Sequence, residues 1–280
     1  MTELHEPKVS FDRASILAGA LLLVGACLPT DRVAAEPAVD LELVLAVDVS
    51  GSMSRADLLM QRHGYIAALR SAEVGAAIAF RGGIALAYME WAGPKEQRIV
   101  VPWIVIADVG DAETFVERLA GAPLNPSFGS PPQATGTSIS EALLFAADMF
   151  SSNGASRTID VSGNGPNNSG GSLADARESV VARGIAINGL PIVRADAPFS
   201  EFPLVIYYED CVIGGPGAFA VPVDDPTELS SAVRRKLVLE IATLPARDLE
   251  QPHLMRASVV TGAVPRVDCG SGGNKTVRRG

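Results

Sequence analysis

Apolar residues recur along this chain in two rhythms that alternate. Leu41 to Val47 (LELVLAV) is an almost continuous apolar run ending at Asp48 and followed by Ser-Gly-Ser. That is the pattern of a strand covered on both faces, as in a parallel sheet. Ala56 to Leu69 takes a helical period, and Ile84 to Trp91 and Ile99 to Ile106 predict two further strands. Asp111 to Leu119 predicts a helix whose first turn carries acidic side chains, where the helix dipole favours them. Asn125 to Gly136 is rich in Pro, Ser and Gly and predicts a loop before a helix at Ser138 to Phe150. Then come a strand at Thr158 to Ser162, a polar glycine-rich loop at Gly163 to Gly171, a helix at Leu173 to Ala182 and a strand at Ile185 to Ile192. Glu201 to Gly217 predicts an irregular insertion, followed by a short strand at Phe219 to Val223 and a helix at Thr227 to Ala242. From Pro245 onward no period is clear.

Strands alternating with helices predict βαβ units and an α/β fold: a Rossmann-like, doubly wound, mostly parallel sheet with helices on both faces. No repeat or second domain is visible, so residues 36–245 form the expected domain and 246–280 a C-terminal tail. In such sheets ligands bind beyond the carboxyl ends of the strands. That directs attention to Asp48–Ser52, to the loop before Ser138 and to Gly163–Asn168.

The first 35 residues follow a different logic. Ile16 to Leu28 (ILAGALLLVGACL) is too short to span a bilayer, which needs about 20 residues, and fits the apolar core of a signal peptide. Val33-Ala34-Ala35 supplies small residues for cleavage, so residues 1–35 are the expected leader and the protein is expected to be exported, periplasmic or secreted. Val24-Gly25-Ala26-Cys27 also has the form of a lipoprotein box, so a lipid anchor at Cys27 stays open. With Cys27 gone or lipidated, Cys211 and Cys269 remain. An even pair in an oxidising compartment predicts a disulfide that ties the tail back to the domain.

Composition narrows the partners. An apolar fraction of 48% supports a sizeable core, and a net charge of −9 repels phosphate backbones. Aromatics are only 5%. Nucleic acid is therefore not an expected partner.

Asp48-Val49-Ser50-Gly51-Ser52 places a carboxylate and two hydroxyls at alternate positions beyond a buried strand. Such oxygens suit a hard cation such as Mg²⁺. The segment LELVLAVDVSGSM resembles the first strand and metal motif of the von Willebrand factor type A family. The resemblance covers about Val39 to Thr243 in the order of its loops. It implies a metal-ion-dependent adhesion site in which Asp48, Ser50 and Ser52 are joined by Thr137 from a second loop and by the residue at 164 from a third. The family has Asp-Gly in that third loop, whereas this chain has Asn164-Gly165, which leaves Asp48 as the sole carboxylate of the set. Asp160 is about 13 Å of strand away from 164 and cannot replace it. The resemblance implies Mg²⁺ or Mn²⁺ as the ion, a protein partner that offers a carboxylate, and no enzymatic activity. Gly165-Pro166-Asn167-Asn168 and the segment from Asp210 to Gly217 also resemble a group of exported bacterial members.

Three rival readings are weaker or stay open. A hydrolase would need a base for Ser50 or Ser52. No G-x-S-x-G elbow exists, and outside the leader the histidines are only His63 and His253. A phosphate loop at Gly165 to Ser172 lacks the lysine such loops use and carries Pro166, which has no N–H. A metal-free scaffold with a degenerate site, in which Ser50 caps the following helix, stays open beside the metal reading.

Overall fold

A computed structural model of the chain describes residues 39–124, 136–150, 155–193, 203–242, 267 and 269. The leader with Cys27 and Ala35, all but the end of the loop at 125–136, and nearly all of the tail lie outside the described residues. The described residues belong to one compact unit, Pro37–Gly280.

β1 (Leu41–Asp48) is the middle of a five-stranded sheet ordered β3-β2-β1-β4-β5. It pairs in parallel with β2 (Ile84–Trp91) on one edge and β4 (Ser156–Gly163) on the other, and β4 pairs in parallel with β5 (Ile185–Pro191). β3 (Gln97–Ile106) closes the far edge antiparallel to β2. The apolar run in β1 follows from this position. Leu41, Leu43, Leu45 and Val47 face one buried cluster, and Val44 and Ala46 face another on the opposite side. Each buried Leu or Val contributes about 1.5–3 kcal/mol, so a slip of one residue in register would forfeit several such terms.

Helices cover both faces, as the doubly wound pattern predicts. α1 (Arg55–Leu69), α2 (Ala72–Arg81), α3 (Val109–Gly121) and α7 (Leu229–Ala242) contribute to the first cluster. α4 (Ile139–Asp148) and α5 (Leu173–Ala182) contribute to the second. α2 is an addition to the elements predicted from sequence: Ala72, Gly75, Ala76 and Ala77 dilute the apolar period. Its punctuation is nonetheless regular, with Ser71 accepting from Val74 N and Gly82 ending the helix at φ +80°.

Two expectations need correction. Phe219 to Val223 is not a regular strand. It touches β5 only through isolated bridges, Gly189 with Ala220 and Ile192 with Val223: Val221 N and Val223 N donate to Gly189 O and Pro191 O, but Pro191 of β5 has no N–H to return to the segment between them. The insertion is irregular only in part: α6 (Leu204–Tyr207) runs into a π-helical turn at Tyr208–Val212, and residues 213–217 form no regular element. Cys211 in that turn forms the expected disulfide with Cys269.

Charge is also buried between the elements. Glu90 on β2 is 3% exposed and accepts from Arg62 of α1 and from Arg98 of β3 at 2.5 Å each. Those guanidinium groups also donate to the carbonyls of Ala122 and Pro123, which fixes the end of α3. Removing the shared carboxylate would strand Arg62 in the interior, a loss on the scale of breaking a buried ion pair. Glu90→Gln is expected to lower unfolding stability by about 3 kcal/mol or more in urea titration. A change below about 1 kcal/mol would mean that solvent reaches the pair.

Candidate metal centre

The carboxyl ends of β1 and β4 lie side by side, at the point where the strand order turns from one direction to the other. A crevice at such a reversal is where open α/β sheets place their ligands. Asp48 is the last residue of β1 and is fully buried. Its Oδ1 accepts from Ser50 N at 2.7 Å, and its carbonyl accepts from Gln61 Nε2 of α1 at 3.1 Å. The chain then turns through Ser50 and Ser52 into α1. The cap of that helix is Ser54 in a capping box with Asp57, not Ser50. The hydroxyls of the motif are therefore not consumed by the helix end.

All five residues expected at the site come together. Ser50 Oγ lies 3.1 Å from Ser52 Oγ, and Thr137 Oγ1 donates to Ser50 Oγ at 3.4 Å. Ser52 Oγ donates to Asn164 Oδ1 at 2.6 Å. Asp48, Ser50, Thr137 and Asn164 are all buried. Asp160, by contrast, points into the core and pairs with Lys236 at 2.6 Å.

The second and third loops hold each other. Asn168 Oδ1 accepts from Thr137 N at 2.7 Å, and Thr137 O accepts from Asn168 N at 2.9 Å and from Ser169 N at 3.3 Å. Asn167 Oδ1 accepts from Ser140 N at the start of α4 at 2.9 Å. Two N–H groups of the glycine-rich loop thus serve Thr137 and are not turned outward toward a phosphate. Gly136 has φ +121°, and a Cβ there would meet Asn168 Oδ1 at 2.6 Å, so only glycine fits this approach.

The π-helical turn adds a component outside the five residues expected at the site. Tyr207 Oη accepts from Asn167 N at 3.1 Å. The fully buried Tyr208 lies against Gly163, where a Cβ would be 2.7 Å from Tyr208 Oη and 3.0 Å from Asp48 Oδ2. Asp48 Oδ2 and Tyr208 Oη are both buried without a hydrogen-bond partner among the described residues. The adjacent pair Tyr207-Tyr208 and the Asn-Asn pair after Gly165 are the only signals in the sequence that could have pointed to this clamp.

Burial pushes the Asp48 carboxyl up to about 6, against the downward pull of the Ser50 side chain and backbone and of the Asn164 backbone nearby. Among the described residues no cationic side chain pairs with it, and no three His, Cys, Asp or Glu side chains gather as a ligand set. The donors here are hydroxyl and amide oxygens around one carboxylate. That chemistry fits a hard cation, and the unpaired Oδ2 is the kind of buried atom such an ion would satisfy.

Comparison with known proteins follows this geometry. A family model described as Protein of unknown function (DUF1194) matches residues 38–245. Among curated proteins no match is found. Similar solved structures include proximal thread matrix protein 1 from the mussel byssus, with TM-score 0.54 and 12% identity over 73% of this chain and 48% of that one. That mussel protein has also been solved with a zinc-occupied MIDAS motif. The pilus adhesin SpaC from Lactobacillus rhamnosus GG is similar with TM-score 0.52 and 13% identity, over 74% of this chain and 30% of that one. A von Willebrand factor type A protein from Catenulispora acidiphila is similar with TM-score 0.50 and 16% identity, over 73% of this chain and 43% of that one. The chain thus spans about half the length, or less, of these structures. The fold is of the von Willebrand factor type A kind.

The raised Asp48 carboxyl has a definite sign. Its protonated form is favoured in the folded state, so its contribution is fully present below pH 3.8 and is lost as pH rises through about 6. In EDTA, Asp48→Asn is expected to match the parent near pH 4 and to exceed it by on the order of 3 kcal/mol at pH 7. Thermal unfolding of both proteins across that range measures the difference. A difference that does not change with pH would show that the carboxylate is solvated.

Proposed function

The chain belongs to the family described as Protein of unknown function (DUF1194), and from that premise we propose that it is an exported binding module that engages a protein partner through a divalent cation. The cation, Mg²⁺ or Mn²⁺, would be held by Asp48, Ser50, Ser52, Thr137 and Asn164. The observation that carries this reading is the buried Asp48 carboxylate, which has one unpaired oxygen, no cationic neighbour among the described residues, and a ring of hydroxyl and amide oxygens beside it.

The cation supplies an open coordination position that attracts an anionic oxygen. The protein's own residues supply the frame. Asp48 contributes the single negative charge, the hydroxyls contribute neutral oxygens, and the asparagine clamp holds Thr137 in place. One carboxylate offsets only part of a double positive charge. Asn164 therefore weakens retention of the ion while leaving more attraction for a carboxylate on the partner.

Export is supported by the apolar run at Ile16 to Leu28 and by the Cys211–Cys269 disulfide, which suits an oxidising compartment. Among the described residues no helix is long and apolar enough to cross a membrane. A lipid anchor at Cys27 remains an alternative mode of attachment. His63 is exposed on α1, which gives the hydrolase reading no support.

One observation favours a second reading. Ser52 and Asn164 already satisfy each other at 2.6 Å, as they would in a metal-free scaffold. Calorimetric titration of the purified protein with Mg²⁺ and Mn²⁺ separates the two. Saturable one-site binding that disappears in Asp48→Ala, with circular dichroism unchanged, is the expected result. Absence of binding in the parent protein would favour the scaffold. Asn164→Asp is expected to tighten the ion about tenfold or more, since one added charge contact is worth at least about 1.4 kcal/mol in a buried site. An unchanged affinity would remove position 164 from the ligand set.

A further inference from the structure

A second polar cluster lies in the core and takes no part in the site above. Asp160 on β4 and Asn188 on β5 are register partners and share a face of the sheet with Leu45. α7 packs over that face and presents Lys236 and Glu240 one turn apart. Lys236 Nζ is 2.6 Å from Asp160 Oδ1 and also contacts Glu240 Oε1. Asn188 Nδ2 donates to Glu240 Oε1 at 2.9 Å, while Glu240 Oε2 has no hydrogen-bond partner among the described residues. The side chains of Lys236, Asp160 and Glu240 are 1%, 1% and 0% exposed, and the ring of Phe219 lies 5.4 Å from Nζ.

As an ordinary ion pair this is an uneconomical arrangement. One ammonium faces two carboxylates where water does not reach, and buried charges of this kind tend to lose more in desolvation than they regain by attraction. The same geometry is well suited to condensation. A nucleophile and an acyl group are already in contact, which replaces a collision by a fixed approach. Water, the competing nucleophile and the product, is kept out. A third group that can carry protons touches the nucleophile. Burial pushes the carboxyls of both Asp160 and Glu240 upward, which retains a proton among the three.

We propose that Lys236 and Asp160 become joined by an intramolecular isopeptide bond, with Glu240 as the proton carrier. Ionised Glu240 takes one proton from the Lys236 ammonium. The neutral Nζ then attacks Cγ of protonated Asp160. The Cγ–N bond forms, and the Cγ–OH bond breaks as Glu240 returns a proton to the departing oxygen and removes one from nitrogen. The products are an amide, one water and a protonated Glu240, so atoms and charge balance with no oxidant or cofactor. The bond would fasten α7 to the centre of the sheet. It does not depend on whether a cation occupies the site at Asp48.

Mass spectrometry of the full chain, reduced and unfolded, tests this directly. After trypsin, the parent is expected to yield one branched species in which residues 158–177 are joined to residues 236–247, lighter by one water than the two peptides together. Fragmentation should place the link at Asp160 and Lys236. Lys236→Arg, which keeps the charge, and Glu240→Gln should both lose the branched species and release linear peptides. Linear peptides 158–177 and 237–247 from the folded parent protein, the second produced by cleavage after an unmodified Lys236, would overturn the proposal. So would a loss of water mapped to any other residue.

Discussion

β1 is paired on both edges and covered on both faces, so its backbone is satisfied throughout and the chain meets open space only at the strand's ends. At the carboxyl end its last residue, Asp48, is acidic, and the surrounding layers bury it as completely as the leucines before it. A carboxylate in that position must be met by donors or by positive charge, or the fold loses what the strand gained. Ser50 N meets one oxygen. The second oxygen faces Gly163 and the end of β4 and has no protein partner among the described residues. The arrangement of the three loops follows from that single debt of charge. Serines, a threonine and an asparagine converge where a solvating group is needed, and none of them alone brings the charge that would close it.

The loops reach this point because they are tied to one another more than to the sheet. Asn168 fixes both the N–H and the C=O of Thr137, Asn167 fixes the first turn of α4, and Tyr207 fixes Asn167 in turn. Each tie runs between segments far apart in sequence. Moving one loop would therefore unsatisfy backbone groups in another, which preserves the spacing of the oxygens.

What was legible in the sequence, and what was not, divides along the same line. β1 and its acidic end stand out because burial on both faces forces an unbroken apolar run and the motif follows at once. Thr137 and Asn164 were reached only through the resemblance to the von Willebrand factor type A family, which takes one residue from each of those loops. α2 escaped because alanine and glycine satisfy a helix without marking which face is buried. Phe219 to Val223 reads as a strand by composition, and the decisive feature is the missing N–H of its neighbour Pro191 on β5. Tyr208 beside Asp48 was not legible at all. That contact spans 160 positions and depends on two glycines, Gly163 and Gly189, making room for the ring. Asp160, set aside as a ligand on distance alone, turned out to face the opposite requirement: a partner for a lysine in the core.

The disulfide gives the domain a mechanical character. Cys211 and Cys269 are 58 positions apart in the chain, and α7 lies within the segment they enclose. Tension on the polypeptide beyond residue 269 is therefore carried across the sulfur bridge to the turn at Tyr208–Val212 and bypasses α7. The turn that receives the load is the one whose tyrosines touch Asn167 and Gly163. A pull from that side would be felt first at the loops around Asp48, while the helix packed on the far face of the sheet stays slack.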